Sequence, residues 1–374
     1  MDNAAASNLA TGVVWGGFVI AFLFGAIANR TNFCTMGAVS DVVNMGHWGR
    51  IRMWGLAIAV AVLASGALSL TGQVDLSKAV AQRPSLPWLS LLVGGLVFGV
   101  GMTLAGGCAN KNLVRLGGGS LRSLVVLVFT GIASYMTLKG LFGQWRASFL
   151  DPVAIDLAAS GWKDGSLGTA LTRLAGLDAR TAQIAAIAVV ALALLVFVLK
   201  DKRFRGNRMQ VWGGAALGLL VAAGWYVSGH LGFGENPETL ETVFHGTNTR
   251  ALESLSFVAP LAFGLELLML WTDKSLHLTM GIASALGVVA GSAVVALATR
   301  SFRWEGFANF DDLRNQLIGA MLLGFGGVTA LGCTVGQGLS GVSTLAIGSF
   351  IALAGILAGS AGMLKYTLWK AERE

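Results

Sequence analysis

Apolar runs long enough to cross a lipid bilayer recur along the whole chain. A helix needs about 20 predominantly apolar residues to span the hydrocarbon core. In lipid, the backbone polar groups must be paired within the protein, so the pattern predicts an all-α integral membrane protein. The ten stretches lie near residues 12–28, 52–72, 88–106, 120–142, 182–199, 209–229, 255–271, 278–298, 315–331 and 342–364.

Two of these stretches end in glycine-rich polar sequence rather than in an ordinary loop. The stretch 88–106 runs into LAGGCANKNLVRLGGGS, and the stretch 315–331 runs into ALGCTVGQGLSGVS. Irregular backbone at membrane depth is tolerated only where protein buries it or where it lines a wet cavity. We therefore expect about eight full spans plus two re-entrant broken helices.

The charge of the connections predicts an orientation. Loop 200–208 is rich in Lys and Arg, which is typical of a cytoplasmic loop, and the C-terminal segment carries Lys365, Lys370 and Arg373. Loop 230–254, with Glu235, Glu238, Glu241 and Glu253, is expected in the periplasm. When the spans are counted from this orientation, the first re-entrant segment enters from the cytoplasm and the second enters from the periplasm.

An internal repeat is centred on two cysteines. The segment GVGMTLAGGC, which ends at Cys108, aligns with GFGGVTALGC, which ends at Cys333. A weaker match aligns residues 35–37 with residues 279–281 and places Cys34 opposite Leu278. Repeats with broken helices at corresponding positions are typical of transporters, whose binding sites lie near the midplane. We expect a pseudosymmetric inverted repeat.

The repeat predicts three parts of the chain. Residues 1–181 form the first half, with the re-entrant segment around Cys108 and a long periplasmic connection. Residues 182–254 are linking spans joined by the basic cytoplasmic loop 200–208. Residues 255–374 form the second half, with the re-entrant segment around Cys333.

Composition agrees with a membrane protein and excludes several other classes. Of the 374 residues, 55% are hydrophobic and 12% are charged, whereas soluble domains carry about 25% charged residues. The 52 glycines suit close helix packing. The net charge of +7 lies mostly in the connections, so no nucleic-acid partner is expected. The cysteines number three, without a CxxC motif, which argues against a disulfide framework or a zinc site. No metal or cofactor is predicted.

Three motifs, taken in order, resemble those of one known family. NRTNFCTMGAVSD, GGCANKN and LGCTVGQGLSG are similar to motifs of the YeeE/YedE membrane family, which includes thiosulfate uptake transporters. The resemblance covers essentially the whole chain. It implies a multi-pass protein of the bacterial inner membrane, without enzyme activity, in which the motif cysteines line the substrate path. Carried over by motif, those cysteines are Cys34, Cys108 and Cys333.

The chemistry of thiosulfate fits these residues independently. The anion has a soft terminal sulfur and charged oxygens. A neutral thiol is a weak donor suited to a soft acceptor, and weak contacts allow release. Exposed amides at the N-termini of broken helices attract the oxygens.

Other polar residues near the motifs have two interpretations each. Lys111 and Arg115 follow Cys108 and either attract the anion or anchor the interface. Asn110, Asn112 and Gln337 either bind oxygens or cap a broken helix. Glu266 lies in an apolar stretch, so it is either an intramembrane functional acid or an interfacial residue.

Three alternatives remain open at this stage. The cysteines could relay sulfane sulfur as persulfides to a cytosolic sulfur-carrier protein, which requires a thiolate. The transported species could be another sulfur or selenium compound. The chain could also form a generic water-filled channel, in which flux would be insensitive to loss of the cysteines.

Overall fold

The computed structural model describes residues 3–235 and 241–373, so Glu238 lies outside the described residues. The described residues are mostly helical, with very little strand, as predicted. The helices are α1 (Asn3–Thr31), α2 (Thr35–Met45), α3 (Gly49–Leu70), α4 (Trp88–Leu104), α5 (Ala109–Gly117), α6 (Leu121–Leu138), α7 (Leu141–Phe149), α8 (Leu167–Ala175), α9 (Ala179–Leu199), α10 (Lys202–Gly206), α11 (Arg208–Tyr226), α12 (Ala259–Met269), α13 (Met280–Ala298), α14 (Phe310–Thr329) and α15 (Ile347–Ala371).

Short strands and helical turns complete the described part of the chain. Strands β1 (Ser85–Leu86) and β2 (Ile155–Asp156) pair antiparallel, and so do β3 (Phe233–Glu235) and β4 (Thr242–Phe244). A further helix covers residues 334–343, and its middle part, Gly336–Gly341, is π-helical.

Eight helical stretches of the described residues are, by length and composition, able to cross a membrane, which is as many as the full spans predicted. They are Ser7–Met45, Gly49–Leu70, Trp88–Gly117, Leu121–Leu138, Ala179–Leu199, Arg208–Leu231, Met280–Ala298 and Ile347–Ala371. These eight stretches are not the same as the spans predicted from the sequence. The predicted span at 255–271 is wrong in length, because α12 has 11 residues. Helix α14 is long enough, but it is not among the eight and carries acidic residues in its first turn.

The core is organised around the crossing of α4 and α14. Gly94 of α4 faces Ala330, just beyond α14, whereas Gly101 faces Gly319, so the two helices run antiparallel. Helix α4 also packs along α15, and α14 packs along α6. Glycine at these contacts lets the backbones approach closely, as in other membrane helix pairs.

A second pair of helices, α1 and α13, packs equally closely. A Cβ atom at Gly25 would meet the backbone of Val288, and one at Gly291 would meet the carbonyl group of Phe22. Both contacts involve backbone atoms, which cannot rotate away. Glycine is therefore required at this crossing.

The packing corrects the expected path of the chain through the membrane. Arg52, near the start of α3, forms an ion pair with Asp201, which precedes α10, so both lie at the same end of the bundle. The span count with re-entrant segments had put residues 29–51 at the end opposite the basic loop 200–208. Thr31, at the end of α1, also faces Gly213 near the start of α11, at the end of the basic loop.

Helices α4 and α5 consequently cross the bundle as one broken helix instead of turning back. Ser90 near the start of α4 bonds Asp151 in the connection that leads to α9, at the end opposite the basic loop. Gly117 at the end of α5 packs against Ser292, which bonds Asn29 near the end of α1. The break changes the direction of the helix without returning the chain.

The second broken segment crosses in the opposite sense. Helix α14 starts after the loop that follows α13, at the end of the basic loop, and Ile347 at the start of α15 bonds Gly165 at the other end. The expectation that both segments are re-entrant is therefore wrong. The expectation that the C-terminus and loop 200–208 share one end agrees with this course of the chain.

Candidate functional site

Each of the three cysteines follows a break between two helices. Cys34 lies between α1 and α2, Cys108 between α4 and α5, and Cys333 between α14 and the 334–343 helix. The breaks contain left-handed residues, namely Asn32 (φ 52°), Gly106 (φ 68°) and Leu331 (φ 57°). A left-handed residue ends a helix because it turns the chain away from the helical course.

Each cysteine is the N-cap of the helix that follows it. The sulfur of Cys34 accepts a hydrogen bond from the amide of Gly37 at 3.3 Å, and the sulfur of Cys333 accepts one from Gly336 at 3.4 Å. The amide of Lys111, also three residues further on, interacts with the Cys108 sulfur. Three helix N-termini, which favour negative charge, are thus directed at three sulfurs.

The tertiary structure brings the three thiols together in the interior. Cys34 is 6% exposed, Cys108 is 1% exposed and Cys333 is fully buried. The Cys108 sulfur lies within electrostatic range of both Cys34 and Cys333, and none of the three forms a disulfide. The breaks from distant parts of the sequence therefore form one buried centre.

Thr334 connects the helix that follows Cys333 to the Cys108 thiol. Its side chain lies within interaction range of the Cys108 sulfur. Its hydroxyl nevertheless makes no hydrogen bond of normal geometry, although it is fully buried.

Lys111 is a predicted site residue that interacts with the thiols. Its ammonium group donates a 2.6 Å hydrogen bond to Oδ1 of Asn32 and interacts with Cys34 and Cys108. This bond joins α5 to the break before α2. Lys111 therefore places a positive charge beside two of the three thiols.

Asn112, Arg115 and Gln337 stabilise the helix breaks through side-chain hydrogen bonds. The side-chain amide of Asn112 donates to the carbonyls of Gly107 (3.0 Å) and Cys108 (3.2 Å). Arg115 donates to the Gly106 carbonyl at 2.7 Å, and Gln337 donates to the Ala330 carbonyl at 2.8 Å. The Cys108 carbonyl also accepts the backbone amide of Asn112 at 3.0 Å. The carbonyls of Gly106, Gly107 and Ala330 lie at the breaks, where these side chains stabilise the irregular backbone.

Asn110 differs from these residues in its hydrogen bonding. It is 1% exposed, and its Oδ1 has no hydrogen-bond partner. The hydroxyl of Thr35, which follows Cys34, is likewise buried and unpaired. Thr35 and Thr334 were not predicted as site residues, although a Cys-Thr pair at both positions was visible in the sequence.

A basic cavity of about 280 Å³ opens beside Lys111 at the end of the bundle that holds loop 200–208. Its charged residues are Lys111, Arg115, Arg122, Arg303 and Glu305. One ion pair, Arg122 with Glu305 at 3.6 Å, leaves an excess of positive charge. The cavity can therefore attract an anion to the side of the centre that Lys111 occupies.

A narrower cavity of about 20 Å³ lies at the other end of the bundle. Its lining includes Arg83, Leu331, Gln337 and Ser349. Ser349 donates to Oε1 of Gln337 at 2.6 Å, so both ends of that side chain are engaged. The second cavity thus also contains an arginine, and Leu331 of the break before Cys333 lines it.

Glu266 is not brought to this centre by its described contacts. Its carboxylate accepts a 2.5 Å hydrogen bond from Lys139 and a 3.4 Å bond from Tyr135, at the end of α6. The hydrogen bond with Glu266 raises the pKa of Lys139. This is an ion pair between α6 and α12, at the end of the bundle away from the basic cavity.

The fold and the buried centre define a multi-pass helical membrane protein. The family model described as sulphur transport matches residues 30–362, and the chain belongs to this family, which is also known as YeeE/YedE. The resemblance predicted from the three cysteine motifs is confirmed.

Two relatives are similar over most of their length. The thiosulfate transporter TsuA of Spirochaeta thermophila is 26% identical over 343 residues, covering 91% of this chain and 94% of the relative. The thiosulfate transporter TsuA of Escherichia coli K12 is 25% identical over 351 residues, covering 87% of each.

Proposed function

We propose that this protein transports thiosulfate across the bacterial inner membrane along a path lined by Cys34, Cys108 and Cys333. The observation that carries the proposal is the convergence of three buried thiols, each at a helix N-terminus, with a basic cavity beside Lys111. The names of the two relatives support thiosulfate as the substrate.

The chemistry of the centre suits an anion with one soft end. A thiol is a weak donor to a soft sulfur acceptor, and the helix N-termini favour the negative charge of the whole ion. Lys111 adds a cation at one side of the centre. Because each contact is weak, the site can release what it binds, which transport requires.

The proposed architecture is an inverted repeat whose halves begin at α1 and at α11. In it α4 corresponds to α14, α6 to α15, and α3 to α13. Two packing relationships support it: α4 packs along α15 as α14 packs along α6, and α1 packs along α13 as α11 packs along α3.

This assignment revises the halves predicted from the sequence. The halves become residues 3–138 and 208–371, with 139–207 as the link. Cys34 then corresponds to a residue just before α12, near Val258, instead of Leu278. Phe33 and Phe257, which correspond in this register, both contact Phe24, at centroid distances of 6.3 and 6.0 Å.

Transport of the intact anion is favoured over sulfur relay. A relay exchanges sulfur at a thiolate, and reactive cysteines are normally partly exposed in electropositive surroundings. All three thiols here are at most 6% exposed. The persulfide relay, and a cytosolic sulfur carrier as its partner, remain the alternative prediction.

Uptake of doubly labelled thiosulfate into proteoliposomes tests the proposal. With each sulfur carrying its own isotope, intact transport delivers both labels in a one-to-one ratio. Cys108→Ala and Cys333→Ala should lose uptake while still inserting into the membrane. Ser at either position should restore uptake poorly, because an oxygen is a harder donor. Delivery of the outer sulfur alone would establish the relay, and normal uptake by both Ala variants would refute the path.

A further inference from the structure

The first turns of all three cysteine-capped helices contain a buried polar atom without a partner. These atoms are Thr35 Oγ1 in α2, Asn110 Oδ1 in α5 and Thr334 Oγ1 in the 334–343 helix. The three residues are at most 3% exposed. Buried polar side-chain atoms are usually paired in native proteins, so a recurring exception at three equivalent places requires an explanation.

The two threonines cannot be paired in the way that helical threonines usually are. Within helices of this protein, Thr31, Thr103 and Thr137 donate to the carbonyl four residues earlier. Thr35 and Thr334 are the first residues of their helices, so the carbonyl four residues earlier belongs to the helix before the break. For Thr334 that carbonyl, on Ala330, already accepts from Gln337.

Other unpaired hydroxyls in the described residues do not directly follow a capping cysteine. Thr279 is itself the N-cap of α13, and Thr329 is the last residue of α14. Thr130 and Ser65 are inside α6 and α3, where rotation about one side-chain bond can bring the hydroxyl to a carbonyl of the preceding turn. Thr35 and Thr334 have no such partner within reach along their own helix. The Thr334 hydroxyl faces the Cys108 sulfur, and both hydroxyls can donate to a group that enters the centre.

The position of Thr334 indicates which group that is. Its side chain lies beside the Cys108 sulfur, and Thr334 directly follows Cys333 in the chain. When a small ligand places a soft sulfur against the thiols, its other atoms lie within about 3 Å of that sulfur. A hydroxyl beside the thiols can therefore reach those atoms. In a sulfur oxyanion those atoms are strong acceptor oxygens.

We propose that Thr334, together with Thr35, donates hydrogen bonds to the sulfonate oxygens of the transported anion and thereby determines its specificity. This inference rests on the proposed function and adds the recognition of the oxygen end to that of the sulfur end. The thiols contact the terminal sulfur and the threonine hydroxyls contact the oxygens. The substrate class is accordingly a sulfonate that carries a soft substituent.

Isosteric replacement of the hydroxyl tests the inference. Thr334→Val keeps the branched shape and removes the donor, whereas Thr334→Ser keeps the donor. We expect Thr334→Val to raise the KM for thiosulfate about ten-fold, Thr334→Ser to stay within about two-fold of the parent, and Thr35→Val to act in the same direction. Thr130→Val, at a buried and unpaired threonine away from the breaks, is the matched control and should leave KM unchanged.

A competition assay separates oxygen recognition from a structural effect. Hydrosulfide has a soft sulfur and no oxygens. Its competition with labelled thiosulfate should therefore be at least as strong in Thr334→Val as in the parent. Competition by sulfite, which has oxygens, should weaken. An unchanged KM in Thr334→Val, an equal loss in Thr130→Val, or equal weakening of both competitors would overturn the inference.

The outcomes also separate this inference from the proposed function. If the cysteine variants lose uptake while Thr334→Val keeps its KM, only the role of the hydroxyl fails. If Cys108→Ala and Cys333→Ala both transport normally, the thiol path itself fails.

Discussion

Arg52 forms an ion pair with Asp201, although 149 positions separate them in the chain. Arg52 lies in the first turn of α3, and Asp201 is the N-cap of α10 in the basic loop. The amide of Arg203 and the guanidinium of Arg52 lower the pKa of Asp201, so its carboxylate stays charged. The pair fixes the start of α3 and the end of α9 at the same face of the membrane.

Labelling of single cysteines should reproduce this arrangement. Met45→Cys and Lys202→Cys should both react with a membrane-impermeant maleimide from one side of the membrane, and Lys163→Cys should react from the other side. The measurement compares right-side-out with inverted vesicles. The parent protein, whose three cysteines are buried, is the unlabelled control.

The span count from the sequence makes the opposite prediction, since with re-entrant segments it puts positions 45 and 163 on one side. Joint labelling of Met45→Cys and Lys163→Cys would therefore restore the re-entrant topology and contradict the structure.

Asn112→Ala should destabilise the protein by about 1–3 kcal/mol, because the carbonyls of Gly107 and Cys108 would lose their side-chain partner in a buried setting. Uptake should fall as well, since the break positions Cys108. Thermal unfolding in detergent measures the first effect. Asn44→Ala removes an exposed amide that bonds only Ser40 and should change stability little; equal melting temperatures for the two variants would mean that the break needs no brace.

Gly291→Ala and Gly362→Ala should have opposite effects on stability. A Cβ at Gly291 would meet the Phe22 carbonyl in α1, so the helices must separate at a cost of about 1–3 kcal/mol. Gly362 in α15 has open space where its Cβ would lie, and alanine there should stabilise the helix by about 0.5–1 kcal/mol. Melting temperatures check both; a stabilising Gly291→Ala would show that α1 and α13 are farther apart.

The Lys139–Glu266 pair should matter for stability and not for transport. Lys139→Met leaves a mostly buried carboxylate unpaired and should lower the melting temperature, and adding Glu266→Gln should recover part of the loss. Uptake per folded molecule should equal that of the parent. If uptake by Glu266→Gln lost its dependence on pH, Glu266 would instead be an acid that couples transport to proton movement.

The pH dependence of this pair has a definite sign. Glu266 raises the pKa of Lys139 above its ordinary value, so the stabilisation is fully present below that ordinary value of about 10.4 and is lost only as the pH rises through the raised pKa. The stability difference between the parent and Lys139→Met should therefore be constant from about pH 6 to pH 9. A difference that falls within this range would show that the pair is not formed as described.

The sequence by itself determined the class of fold and the chemistry of the site. The length of an apolar run reports directly whether a helix can cross a bilayer, so eight spans and the helical breaks at Cys108 and Cys333 could be predicted. Motif order identified the family and the three cysteines, because those residues are recognisable without knowledge of their neighbours.

The tertiary structure decided the direction of the chain and the grouping of side chains. A glycine-rich break looks the same in sequence whether the chain continues or returns, and only the contacts of Arg52 with Asp201 and of Gly117 with Ser292 distinguish the two. Hydrogen bonding likewise separated Gln337 and Asn112, which pair with backbone carbonyls, from Thr35 and Thr334, whose hydroxyls have no partner. These differences depend on groups that are distant in sequence or on the exact end of a helix, and local composition carries no information about either.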